Sequence, residues 1–143
     1  RVESQKPLKC VCTVGADVPV LLGGTGRSAA AFLSDSELSR CIETQKRIGN
    51  PVCGKEELRA VVKRTRSNGY YISHSELDDA INALGLPIFG KNGVVLGSLS
   101  IVAPSSRMSD EVTWELLPEA RRSAQRISER MGYDGNMLNS KGE

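Results

Sequence analysis

The chain has 143 residues, of which 39% are hydrophobic, and its 19 basic and 17 acidic side chains leave a net charge of +2. That length suits one domain with a core of its own. Near-neutral charge supplies no bulk attraction for nucleic acid, so any DNA contact would need a further domain, and no apolar run is long enough to span a bilayer.

The chain opens on Arg1 and a polar stretch without the apolar segment of a signal peptide, so a fragment of a longer, cytoplasmic protein is expected. Pro7 to Val14 has β-branched residues in partial alternation and predicts a strand from about Lys6. Gly15-Ala-Asp17 punctuates it, and Val18-Pro-Val-Leu-Leu22 predicts a short extended piece. A helix is expected from Thr25 through Leu33. Ser34 and Glu37 stand at capping-box spacing for a second helix carrying Leu38, Cys41 and Ile42, which Gly49-Asn-Pro51 ends.

Glu56 to Asn68 predicts a third helix with Leu58, Val61 and Val62 inward and Gly69 as a left-handed cap. Tyr70 to Ile72 follows as a strand. Ala83 to Phe89 and Val94 to Val102 read as two strands joined by Gly90-Lys-Asn-Gly93, whose Asn-Gly chemistry favours an antiparallel hairpin. The last helix enters at Ser109-Asp-Glu111 with Val112, Leu116, Ala120, Ala124, Ile127 and Met131 as its apolar stripe. Pro118 is expected to kink or split it, and 134–143 to form a frayed polar tail.

Cys10, Cys12, Cys41 and Cys53 lack paired C-x-x-C spacing, and His74 is the single histidine, so no metal site is expected and the cysteines should be reduced packing residues. His74 is expected at the surface. No nucleophile motif or paired-carboxylate motif is present, which argues against an enzyme.

The stretch Gly23-Gly-Thr-Gly-Arg-Ser28 poses the functional question. Gly24, Gly26 and Ala29 fit G-x-G-x-x-A, but a dinucleotide turn needs a buried strand ending near an acidic residue, and Thr44 to Asn50 beside Glu43 is no such strand. A phosphate loop would need lysine at Arg27 and glycine at Leu21. Two possibilities stay open: a helix N-terminus whose N–H groups and dipole receive an anion, or glycines that simply permit a tight turn. On the later hairpin, Ser98, Ser100 and Val102 share one face with Ala83, Gly85 and Pro87, and the small residues there would leave room for a ligand.

Taken together these segments resemble the effector-binding domain of the IclR (isocitrate lyase regulator) family. The resemblance rests on Val14-Gly15, Val18-Pro-Val20 and Gly26-Arg-Ser-Ala-Ala-Ala-Phe-Leu33, against a family "GKxxLA". It continues through Arg66-Ser-Asn-Gly-Tyr70 with the acidic Glu76, the hairpin from Gly85 to Arg107, and Ala124 to Tyr133. Arg27 replaces the usual lysine, Gly90 the usual aspartate, and Val102 a residue often serine. The resemblance implies an α+β fold, GAF-like or profilin-like: a curved antiparallel sheet with flanking helices, helices on one face and a pocket on the other. It implies one effector-binding domain over 1–133, truncated at its N-terminus and lacking the family's winged helix-turn-helix.

The implied ligand is a small carboxylic acid, received by Gly24, Thr25 and Gly26. Val18, Glu76, Pro87, Ser100 and Val102 complete the implied ligand-binding set, and no catalytic residue, metal or cofactor is implied. Val102 in place of a hydroxyl leans the pocket toward an aromatic or longer aliphatic acid. The implied partners are that effector, a second or further copies as homodimer or homotetramer, and DNA only through the missing domain, with no membrane. Two other classes remain as alternatives: a nucleotide-dependent enzyme using the Gly24 to Gly26 turn, and a GAF-like interaction module without a ligand.

Overall fold

A computed structural model describes residues 1–50 and 52–135. Four helices, α1 (Gly23–Ala30), α2 (Asp35–Arg47), α3 (Lys55–Asn68) and α4 (Asp110–Arg130), accompany three strands, β1 (Tyr71–His74), β2 (Ile81–Phe89) and β3 (Val95–Pro104). The strands form one antiparallel sheet in the order β1-β2-β3. This is the expected α+β architecture.

Local signals place most of these elements. Ser34 Oγ accepts from the Glu37 N–H at 3.3 Å while the Glu37 carboxylate accepts from the Ser34 N–H at 2.9 Å, so the capping box opens α2 as read. Gly69 ends α3 at φ 74°, its N–H donating to Thr65 O at 2.8 Å. That left-handed conformation favours glycine. Asn92 and Gly93 both take positive φ between β2 and β3, in a loop tightened to one 3-10 turn, Lys91–Gly93. The pairing slips between Ile88 and Phe89. There the Phe89 N–H donates instead to Ser128 Oγ of α4 at 3.0 Å.

The core lies between the sheet and α4. Leu84, Leu86 and Ile88 project from β2 onto Met108, Leu117, Ala120 and Ala124. Leu21, Ala30 and Leu58 form a second cluster with Leu38, Ile42 and Val62 packed around it, which joins α1, α2 and α3.

Several expectations need correction. Lys6 to Val14 forms no strand, and Leu8, Val11 and Val14 are exposed. Strand propensity is realised only against a hydrogen-bonded neighbour, and among the described residues this segment pairs with none of the three strands. The first helix starts two residues earlier than read, at Gly23, and ends at Ala30 rather than Leu33. Pro118 does not split α4, which runs on through it with the proline on the solvent side.

The stripe of α4 is also turned from the one read. Its buried residues are Thr113, Leu117, Ala120, Ala124 and Ser128, while Val112, Ile127 and Met131 face outward. The two buried hydroxyls return bonds to the preceding turn, Thr113 to Ser109 O at 2.8 Å and Ser128 to Ala124 O at 2.9 Å. Satisfied in this way, they are tolerated in the interior. Asp134 and Gly135 lie outside regular elements, and the rest of the expected tail, 136–143, is outside the described residues, as is Pro51. No helix among the described residues is long and apolar enough to cross a membrane.

Candidate functional site

Helix α1 crosses the sheet face opposite α4. Antiparallel pairing arranges that face in rows: Ser73, Ala83 and Val102; then Tyr71, Gly85 and Ser100; then Pro87 and Ser98. The small residues of β2 serve the approach of the helix. A Cβ on Gly85 would lie 2.0 Å from Gly24 O, and one on Gly24 would lie 2.9 Å from the Ala83 Cβ. A Cβ on Gly26 would meet the carbonyl oxygens of Pro19 and Val20 at 2.4 and 2.5 Å. Helices therefore flank both faces of the sheet, whereas the resemblance implied helices on one face only. Gly24 is explained by packing against β2 and Gly26 by packing against the turn at Pro19 and Val20, next to the half-buried Val18, while Gly23 takes a left-handed φ of 66°.

The start of α1 has no side-chain cap of its own at Leu22. Its first two N–H groups are met from β1 and the turn beyond it. The Gly23 N–H donates to the Glu76 carboxylate at 3.2 Å and the Gly24 N–H to Ser73 Oγ at 2.9 Å. An acidic group thus already sits at the positive end of the helix dipole, and it belongs to the chain. Tyr71 donates its hydroxyl proton to the other Glu76 oxygen at 2.6 Å, and Arg27 Nε lies 3.3 Å from the first.

Arg27 is only 6% exposed. Its guanidinium donates to Leu21 O at 3.0 Å, to the Tyr71 hydroxyl at 2.7 Å and to Glu57 at 3.4 Å. Burial alone would lower its pKa, but Tyr71 and Glu76 outweigh that and hold it above the usual arginine value. Burial, reinforced by Glu76, pushes the Tyr71 hydroxyl up from its ordinary range, so the phenol stays protonated and donating.

On the β3 side the arrangement is less complete. Ser98 Oγ donates to Thr25 O at 2.9 Å, fastening the helix to the strand. One step along the same face, the Ser100 hydroxyl is buried without a hydrogen-bond partner. Beyond it Val102 is 41% exposed, so the face opens to solvent at this end.

Of the residues read from the sequence, the structure brings Gly24, Thr25, Ser100 and Val102 to one end of α1. Glu76 reaches the same helix from the β1 side. Gly26 is taken up by packing, and Pro87 is buried in the far row, opposite Ser98. Sequence reasoning missed Ser73 and Tyr71, although the Gly69 cap followed by alternation turns both toward α1. It also placed no weight on Arg27 beyond noting a departure. His74 is exposed as read, its ring paired with Asp110 at 2.7 Å.

Residues 1–129 match the family described as bacterial transcriptional regulator IclR C-terminal. The chain is 26% identical over 136 residues to the HTH-type transcriptional regulator KipR of Bacillus subtilis, covering 93% of this chain and 54% of that protein. It superposes on the crystal structure of the Thermotoga maritima IclR with a TM-score of 0.81 at 25% identity, covering 92% of this chain and 55% of that one. Against the C-terminal domain of the Escherichia coli regulator KdgR the TM-score is 0.68 at 26% identity, covering 80% of this chain and 72% of the other. The chain spans about half the length of the curated relatives it matches.

Proposed function

This chain belongs to the IclR family of bacterial transcriptional regulators, and from that membership we propose that it is the part of such a regulator that senses a small carboxylic acid. The ligand lies beside the first turn of α1, over Ser100 and Val102. One observation carries this reading: the Ser100 hydroxyl is buried with no partner, next to a helix N-terminus and at the open end of the sheet face. A buried hydroxyl left unpaired costs free energy that a ligand oxygen would recover.

The carboxylate approaches from the β3 side, where Ser100 and Thr25 offer hydroxyls, because Glu76 and Ser73 already hold the Gly23 and Gly24 N–H groups. The half-exposed Val102 gives the ligand's body an apolar neighbour. DNA contact falls to a separate helix-turn-helix domain. The domain itself performs no chemistry: its role is to favour one of two arrangements of its assembly when the acid binds.

Ser100→Ala tests the site. Removing an unpaired buried hydroxyl leaves the unliganded protein as stable as before or slightly more so. It weakens the best-binding carboxylate by about 0.5–1.5 kcal/mol. Calorimetric titration of both proteins measures this, and equal affinities would remove Ser100 from the site.

A further inference from the structure

A cleft of about 380 Å³ lies on the flank of α1 away from Ser100, between α3 and β1. Glu57, Ala60, Val61 and Arg64 contribute to its lining from α3, with Tyr71 beside them. Their spacing of three, four and seven residues sets them on one helical face. A carboxylate stands at one end, a guanidinium at the other, and two apolar side chains lie between.

The two charges are the unspent ones of the cleft. Glu76 is committed to Tyr71, Gly23 and Arg27, and Arg27 to four acceptors. Glu57 by contrast is engaged through one oxygen only, at 3.4 Å, and its side chain is 60% exposed. Arg64 stacks its guanidinium 5.9 Å from the Tyr71 ring centroid and, among the described residues, donates to no carboxylate or carbonyl. A simple anion would meet Glu57 and Glu76, and a simple cation would meet Arg27 and Arg64. Only a ligand carrying both charges is matched at both ends.

We propose that this cleft is a binding site for small ω-amino acids, with the ammonium on Glu57, the carboxylate on Arg64 and the methylene chain on Ala60 and Val61. The two α3 positions are about 10 Å apart along the helix axis. That span favours well-separated charges over the adjacent ones of an α-amino acid. The site is independent of the carboxylate site on the β3 side, from which α1 separates it.

The test is titration of the chain with 6-aminohexanoate, followed by amide chemical shifts, against glycine, hexanoate and hexylamine. The expected result is perturbation centred on Ala60, Val61 and Tyr71, and affinity for 6-aminohexanoate at least tenfold above that for each of the other three. Arg64→Gln and Glu57→Gln should each weaken it about tenfold, and Ser100→Ala should leave it unchanged. Both substituted side chains are exposed, and Arg64 meets the buried Arg27 network only through the face of the Tyr71 ring, with no hydrogen bond to it, so Arg64→Gln remains informative even if Glu57→Gln perturbs that network. Equal binding of hexanoate and 6-aminohexanoate, perturbations centred on β3, or an unaffected Arg64→Gln protein would each overturn the proposal.

Discussion

Gly85→Ala is expected to destabilise the domain by about 1–3 kcal/mol, although it adds a single methyl group. The new carbon would lie 2.0 Å from Gly24 O, 2.6 Å from Gly24 C and 2.6 Å from Ser28 Oγ. Two of those atoms are backbone, so no side-chain rotation relieves the clash and α1 must lift off β2. Lifting α1 stretches the bonds from the Gly24 N–H to Ser73 and from Ser98 to Thr25 O, so the candidate site loosens together with the fold. Gly97→Ala is the control, because a Cβ there meets nothing within 4 Å. That change should fall within about 0.5 kcal/mol of the original chain. Urea unfolding midpoints of the two variants make the comparison, and equal midpoints would show that α1 does not press on β2 at Gly85.

The second large effect is expected at Arg27. Arg27→Met keeps the length of the side chain but removes the guanidinium that joins Leu21 O, Tyr71, Glu57 and Glu76. Removing one partner of a buried ion pair costs about 3–5 kcal/mol, and the lower end applies here because the Glu76 side chain keeps 21% of its exposure. Arg27→Lys should recover only part of the loss, since one ammonium cannot reach acceptors spread across α3, β1 and the entry to α1. Adding Glu76→Gln to Arg27→Met should return part of the stability by removing the carboxylate left without its cation. Thermal unfolding of the three variants measures this. A double variant less stable than Arg27→Met by the full cost of a second independent loss would contradict the coupling of the two side chains.

Where a feature is encoded within a few residues, the sequence was sufficient to locate it. Ser34 with Glu37, Gly69 after Asn68, and Asn92-Gly93 each act through bonds or φ values inside their own turn, and all three stand where the pattern put them. The stripe of α4 was misread because an apolar template passes over Thr113 and Ser128. Those hydroxyls bond back to the helix and so count as interior residues. Lys6 to Val14 carries strand-forming residues but forms no strand, because a strand is a property of two segments and a single segment's pattern does not supply the second.

The candidate site divides along the same line. Gly24, Thr25, Ser100 and Val102 were legible through helix-start chemistry and strand alternation. The small residues of β2 were legible as a gap but not as to what fills it. Gly24 set against Ala83 and Gly85 of a strand, with Gly26 set against the Pro19 and Val20 carbonyls, is the signature of close backbone packing, which emerges only once these segments are considered together. The bonds of Glu76 and Ser73 to the start of α1 span 53 and 49 residues, beyond the reach of any local pattern.

The claim that this domain senses a small carboxylate is tested most directly by the melting temperature of the chain against a panel of aliphatic and aromatic acids, each beside its uncharged amide. An acid present at a hundred times its dissociation constant stabilises the fold by about 2.7 kcal/mol, or roughly 5–10 °C for a domain of this size. The expected result is that at least one acid gives such a shift, its amide does not, and the shift shrinks in Ser100→Ala. A panel in which no acid raises the melting temperature above its amide, or in which Ser100→Ala responds as fully as the original chain, would contradict it.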